Sequence, residues 1–332
     1  MDRNTFQRIT IYLATIVLLF GSGWYARGWW HSPGDRNATR RIMAQGFRFT
    51  SPLLDVELPE GLNIRREPIP FKYKIESFIK ERIRAGRAKQ VAVYYRDLHD
   101  GPWFGINSTI EFNPASMMKV PVMIAWLKRA EKDPAVLKRR MKYEASNDPV
   151  PEQYTKPALA LEPGQSYSIE ELLRYMMNYS DNKATSLLYK ASSNKELGEV
   201  LDNMDINNNP NEEGNFLTVH GYSGFFRILY NASYLNREMS EKALQLLSLQ
   251  DFPLGISAGV PEGIKVAAKF GEIVPANKNE DVQLHEFGVI YHPKNHYILG
   301  IMTRGHDFAH QAEVIRDISK LIYSEVDSSM RN

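Results

Sequence analysis

Residues 115–130 read ASMMKVPVMIAWLKRA, and how this stretch is read decides the fold. Around Lys119 stand Met117, Met118, Val120, Val122, Met123, Ile124, Trp126 and Leu127. A helix that is apolar all round is buried, whereas a surface helix keeps a polar face. The pattern predicts a helix over 115–130 starting just after Pro114, with Pro121 close enough to the first turn for its missing N–H to be tolerated. Ser116 and Lys119 are three apart and share one helix face. The spacing alone says little, because the chain contains it four times, at Ser77/Lys80, Ser116/Lys119, Ser180/Lys183 and Ser192/Lys195. Burial sets the second pair apart. An ammonium enclosed by apolar side chains is costly unless paired, so desolvation drives its pKa down. A neutral amine beside a hydroxyl is a general base beside a nucleophile. A structural lysine paired with a buried carboxylate is the alternative reading of the same residues.

Outward from this helix the periodicity changes. Residues 73–87 carry Ile75, Phe78, Ile79 and Ile83 on one helical face, and Val91, Val93 and Tyr95 then alternate up to the hairpin turn Asp100-Gly101, with Trp103 opening a return strand. Helical patterns follow over 169–177, 182–191, 221–235 and 241–249. Strand patterns return over 265–270, 284–291 and 297–303, and a helix over 309–323 closes the chain, with Asp307 as its cap in preference to a metal site at His306 and His310. Two early strands and three late ones predict one antiparallel sheet assembled from both ends of the chain. A helical lobe over about 113–255 is inserted between them, which is an α+β architecture with a cleft where the lobes meet.

Composition bounds the chemistry. A chain of 332 residues, 43% hydrophobic and 24% charged, excludes disorder, collagen-like repeats and a coiled coil. With 41 basic against 39 acidic side chains there is no electrostatic footprint for nucleic acid. The absence of cysteine removes disulfides, thiolate metal sites and thiol nucleophiles, leaving Ser, Thr, Lys, His, Asp and Glu to act. Residues 9–26 carry no charge, a length at the lower edge of a membrane span, and Trp24, Tyr25, Trp29 and Trp30 cluster just beyond, as aromatic residues do at a bilayer interface. The expectation is a transmembrane anchor over 1–30, with a cleaved signal segment or a buried soluble helix as the alternatives. An extended tether over 31–70, marked by Pro33, Pro52, Pro59, Pro68 and Pro70, leads to a catalytic domain over 71–326. Either of the first two readings sends that domain across a membrane.

Downstream, Ser180-Asp181-Asn182 stands 64 residues after Ser116 at the junction of two helical patterns, where its plain reading is a helix N-cap. Lys269-Phe270-Gly271 ends the first late strand, 89 residues after Ser180. These three elements in this order resemble the active-site elements of the penicillin-recognising serine hydrolases, the superfamily of class A β-lactamases and DD-peptidases, over about 71–323. The resemblance implies a β-lactamase/transpeptidase-like fold: a five-stranded antiparallel sheet flanked by terminal helices, plus an all-α lobe. It implies an acyl-enzyme mechanism without metal or organic cofactor, and a peptidoglycan stem peptide or a β-lactam as substrate. By the same resemblance Ser116 is the nucleophile, Lys119 its proton acceptor and Ser180 the hydroxyl that relays a proton to the leaving group. Asn182 holds substrate and Lys119, Lys269 is the cation on the inner strand edge, and Gly271 permits close substrate approach. The backbone N–H groups of Ser116 and Glu272 form the oxyanion hole.

The sequence also departs from that family. Phe270 stands where a Thr or Ser hydroxyl helps hold a substrate carboxylate, and Glu272 brings an anion that repels a carboxylate unless it points away. Arg304 is the candidate replacement cation for substrate binding, or else a strand-end arginine. Class A β-lactamases deacylate with a Glu followed four residues later by Asn, and among Asp202, Asp205, Glu212 and Glu213 none has that spacing. The expectation is therefore a membrane-anchored, monomeric DD-peptidase-like enzyme with no nucleic-acid partner. A class A-like β-lactamase and a catalytically silent cell-wall binding module are the rivals.

Overall fold

A computed structural model describes residues 48–51, 69, 71–99, 101–145, 152–204, 206, 216–277 and 280–329. The chain divides into two units, 1–48 and 49–332, and every helix and strand among the described residues belongs to the second. In order this unit contains α1 (Lys72–Arg84), β1 (Gln90–Asp97), β2 (Trp103–Ile106), a 3₁₀ turn (Ala115–Met118), α2 (Lys119–Lys132), β3 (Arg140–Lys142), β4 (Ser166–Ser168), α3 (Ile169–Asn178) and α4 (Asn182–Ala191). Next come α5 (Asn194–Asp202), α6 (Val219–Tyr230), α7 (Arg237–Leu247), β5 (Val266–Ile273), β6 (Val282–Ile290), β7 (Tyr297–Gly305) and α8 (Phe308–Ser329).

The early hairpin and the three late strands form one sheet in the order β2-β1-β7-β6-β5, antiparallel throughout. Strand alternation divides the apolar residues between two cores. On one face Ala92, Tyr94, Ala267, Phe287, Val289 and Met302 pack against the helical lobe. On the other Val93, Tyr95, Ala268, Phe270, Leu284 and Ile301 pack against α1 and α8. A sheet covered on both faces explains why β1 and β7 read as nearly continuous apolar runs. β5 lies at the edge of the sheet, and that edge borders the cleft.

Local chemistry starts the helices where they start. Ser168 and Glu171 close a capping box on α3, Ser193 and Glu196 close another on α5, and Asp181 caps α4, each worth about 1 kcal/mol. Asp307 accepts the His310 N–H at 2.8 Å at the head of α8.

The structure differs from the sequence expectation in four places. The predicted helix 115–130 begins as a 3₁₀ turn and becomes α-helical only at Lys119, so the nucleophile candidate sits on a tighter turn. The lobe is not all helical, because β3 and β4 pair as a short ribbon within it. α5 has no counterpart in the sequence expectation, because Gly198 in its middle weakens the helical pattern. Phe49–Ser51, assigned to the tether, pack on the domain instead: the Glu241 carboxylate accepts the Phe49 and Thr50 N–H groups at 3.0 Å, and Ser51 N–H donates to Tyr230 O at 2.7 Å. The predicted anchor and the rest of the tether up to residue 68 lie outside the described residues. Among the described residues no helix is long and apolar enough to cross a membrane.

Candidate active site

Lys119 heads α2 inside the apolar lobe and is 4% exposed. Its Nζ donates to Ser180 O at 2.6 Å, Asn182 Oδ1 at 2.7 Å and Ser180 Oγ at 3.0 Å. Three acceptors saturate an ammonium, yet all are neutral. Burial holds the pKa down to about 7, with Asp181 and Glu272 pulling the other way. When the amine is neutral it has two N–H groups and a lone pair. Ser180 O and Asn182 Oδ1 only accept and take the two N–H groups, which leaves the lone pair for a hydroxyl proton.

Two local devices bring Ser180 and Asn182 to that amine. Asp181 Oδ1 accepts the N–H groups of Lys183 at 2.6 Å and Ala184 at 3.1 Å, which fixes Asn182 as the first residue of α4. Asp181 Oδ2 accepts Leu161 N–H at 3.0 Å, so the cap also pins a neighbouring loop. The N-cap reading of Ser180-Asp181-Asn182 thus holds together with the contacts of Ser180 and Asn182 to Lys119. Ser180 adopts φ +54°, a left-handed conformation that costs a residue with a Cβ about 1 kcal/mol or more and that recurs at functional sites.

Ser116 is half-buried and lines a cleft of about 800 Å³, a size suited to a small ligand or a peptide segment. Lys119, Asn182 and Glu272 line the same cleft. The turn that carries Ser116 is held from three sides. Ala115 N–H donates to Asn113 Oδ1 at 3.0 Å, and the buried Tyr222 hydroxyl donates to Met117 O at 2.7 Å. His285, on β6, accepts Thr303 N–H through Nδ1 at 3.2 Å, so its Nε2–H donates to Asn113 O at 3.1 Å. Burial lowers the His285 pKa to about 3, which keeps that tautomer neutral.

β5 supplies the other wall. Lys269 and Gly271, two apart, face the helical lobe, while Phe270 between them turns into the opposite core and stacks on Phe252 at 4.3 Å. Phe270 N–H is spent on Gln250 Oε1 at 2.7 Å, so it points away from β6; two residues on, Glu272 N–H points off the same free edge.

Three sequence-predicted residues are placed differently from expectation. Lys269 is fully buried rather than at the cleft surface, donating to Ser180 Oγ and to Phe270 O at 3.1 Å each, and burial with the neighbouring Lys119 drives its pKa well down. Gly271 makes room for protein rather than substrate: a Cβ there would lie 2.5 Å from Pro114 O and 3.1 Å from Met117 N. Arg304 is not among the cleft-lining residues. Its guanidinium donates to Gln90 Oε1 at 2.8 Å and Glu111 O at 3.0 Å, over the Phe112 ring, because β7 is separated from β5 by β6.

The comparisons with known proteins agree with this fold. The family model described as "Beta-lactamase enzyme family" matches residues 74–326. The chain belongs to the beta-lactamase enzyme family. It is a serine hydrolase of the β-lactamase and penicillin-binding-protein superfamily. Among solved structures it is similar to the beta-lactamase from Sphaerobacter thermophilus DSM 20745, at 21% identity and TM-score 0.65 over 76% of this chain and 96% of that one. It is also similar to PBP-A, at 18% identity and TM-score 0.64 over 77% and 97%. A PBP-A variant, as its acyl-enzyme complex with penicillin G, matches at 19% identity and TM-score 0.64 over 82% and 100%. No curated protein matches the sequence significantly.

Within this family fold several contacts had no signal in the sequence. Thr155 holds the Glu272 carboxylate through its N–H at 3.0 Å and its hydroxyl at 3.2 Å, and Glu152 and Gln153 line the cleft beside it. These residues lie in an aperiodic stretch. His285 and Tyr222 were detectable only as polar groups at core positions of a strand and a helix.

Gly271→Ala drives a methyl into the Ser116 turn. The variant is expected to keep its fold by circular dichroism while acylation slows about 100-fold, the cost of an ångström-scale misplacement. An unchanged acylation rate would show that β5 does not hold the turn.

Proposed function

We propose that the protein is an acyl-enzyme serine hydrolase or acyl-transferase acting on peptide amides, DD-peptidase-like, with peptidoglycan stem peptides as the substrate class. The observation that carries this reading is the Lys119 amine bonded to both Ser180 and Asn182 beside a cleft lined by Ser116. Ser116 Oγ attacks the amide carbonyl carbon and its proton passes to Lys119 Nζ. The oxyanion is met by the Ser116 N–H, at the open start of its 3₁₀ turn, and by the edge N–H of Glu272. Collapse breaks the C–N bond. Ser180 Oγ accepts from both Lys119 and Lys269, so its own proton is directed elsewhere and passes to the leaving nitrogen, to be replaced from Lys119. Water or an amine then cleaves the ester.

A long-lived acyl-enzyme fits what lines the cleft. Among the described residues the lining carboxylates are Glu152 and Glu272, and neither bonds to Lys119 or Asn182 as a water-activating base would. The acidic candidates Asp205, Glu212 and Glu213 lie outside the described residues. Residues 9–26 support a single-pass anchor with the enzyme on the outer face of a cytoplasmic membrane.

An activated peptidyl thioester is expected to leave a stable acyl adduct on the wild type by intact mass and none on Ser116→Ala. Rapid turnover of a chromogenic cephalosporin would assign β-lactamase chemistry instead, and an equal adduct on Ser116→Ala would remove the nucleophile. Because the Lys119 pKa is lowered to about 7, the amine accepts a proton above that pH and not below it. Acylation kcat/KM should therefore rise with pH to half-maximum near 7. Lys119→Arg should lose acylation at every pH, and a Lys119→Ala enzyme with a normal profile would contradict the general-base role. For the anchor, the full chain is expected in the membrane fraction until detergent is added, and release by salt alone would contradict it.

A further inference from the structure

The Glu272 side chain has no part in the mechanism above, yet it points into the site. It is 7% exposed, lines the cleft, and its carboxylate is clamped by the N–H and hydroxyl of Thr155 at 3.0 and 3.2 Å. The clamp prevents it from swinging away. Burial raises the Glu272 pKa while the Thr155 bonds and the neighbouring Lys269 and Lys119 work to keep it a carboxylate, so the two buried amines of the site already face an acidic group belonging to the chain itself. Little positive charge remains for an incoming anion. Lys269 is fully buried and bonded to the equally buried Ser180, Arg304 is spent on Gln90 and Glu111, and Phe270 offers no hydroxyl. Among the described residues that line the cleft, Lys119, its amine pulled toward neutrality by burial, is the one basic side chain against the two acidic ones of Glu152 and Glu272.

The direction of the reaction decides which part of the substrate meets Glu272. The leaving group must reach the Ser180 hydroxyl, which Lys269 and Lys119 share. Glu272 stands three residues beyond Lys269 on the same edge strand and lines the cleft with Ser116, so substituents on a leaving group that reaches the Lys269-bound Ser180 lie along β5 beside its carboxylate. A carboxylate there would bring like charges together in a poorly hydrated site, whereas an N–H donor or an ammonium would be attracted.

We infer that Glu272 is the specificity determinant of this cleft, admitting acyl donors whose leaving group presents an ammonium or carboxamide N–H toward β5 and excluding those that present a carboxylate. This rests on the acyl-enzyme reading above and narrows it. The scissile peptide bond is one whose leaving amine is amidated or amine-bearing, rather than one releasing a residue with a free carboxylate at that place.

Three thioesters with one common peptidyl acyl group test it, their leaving groups being thiocholine (a quaternary ammonium, which cannot capture the acyl group itself), thioglycolamide (carboxamide) and thioglycolate (carboxylate). Released thiol is read with a thiol reagent, to which the protein is silent because it has no cysteine. Wild type is expected to use the first two with kcat/KM about tenfold or more above the third, and Glu272→Gln to bring all three within about threefold by raising the thioglycolate rate. Thr155→Val, which loosens the clamp but keeps the charge, should retain the order. Equal use of the three by wild type, or a Glu272→Gln enzyme with the wild-type ratio, overturns the inference. No Ser116-dependent release from any of them overturns the acyl-enzyme reading itself, and the selectivity falls with it.

Discussion

An amine buried among methionines and aliphatic side chains must find acceptors or lose its charge, and in this protein Lys119 does both. Its three acceptors come from the junction of α3 and α4, so the helix that carries the lysine and the turn that carries Ser180 and Asn182 are bound to each other through one nitrogen. Much of the site follows from this. Asp181 caps α4 at the residue where Asn182 reaches Lys119, Ser180 takes a left-handed backbone to offer both its carbonyl and its hydroxyl, and Lys269 approaches the same hydroxyl from β5. Two lysines sharing a buried oxygen cannot both carry full charge cheaply: burial lowers the pKa of each, and for Lys269 the neighbouring Lys119 lowers it further. A lowered amine pKa is thus a product of packing.

Ser116, the proposed nucleophile, is placed by a second constraint, the close approach of its turn to the sheet. Gly271 lets the turn come to van der Waals contact with β5, His285 on the next strand holds the Asn113 carbonyl, and Tyr222 from the lobe holds the Met117 carbonyl. The two cores meet across the sheet at this point. The register pairs His285 with Gly271, so a shift of β6 against β5 would separate the histidine from the glycine it works beside. The position of Ser116 and the sheet register are therefore coupled, and the glycine serves the protein's own packing first.

Much of this was legible in the sequence, for identifiable reasons. The apolar surround of Lys119 announced a buried helix, alternation located the strands, and Ser180-Asp181-Asn182 sat where a cap was needed; each is a local pattern of a few residues. The extent of α4 was read correctly because the Asp cap and the apolar face agree. The 3₁₀ start of the nucleophile helix was not legible, since it is imposed by contacts with Gly271 and Tyr222, more than 100 residues away in the chain. Arg304 looked available because its sequence neighbours are strand residues, but an intervening strand and the Glu111 carbonyl take it out of the cleft.

By itself the sequence determined which chemistry was available: a serine, a lysine forced toward neutrality by its neighbours, no thiols, and a sheet built from both ends of the chain. Local periodicity and composition suffice for that, because burial of a helix face and alternation of a strand are properties of adjacent residues. Only the tertiary structure decided where charge ends up. Whether Lys269 meets substrate or is buried and bonded to Ser180, and whether Glu272 turns away or is clamped by Thr155 into the cleft, depends on residues up to 117 positions apart brought within hydrogen-bond distance. The energy of a charge is set by what surrounds it in space rather than along the chain.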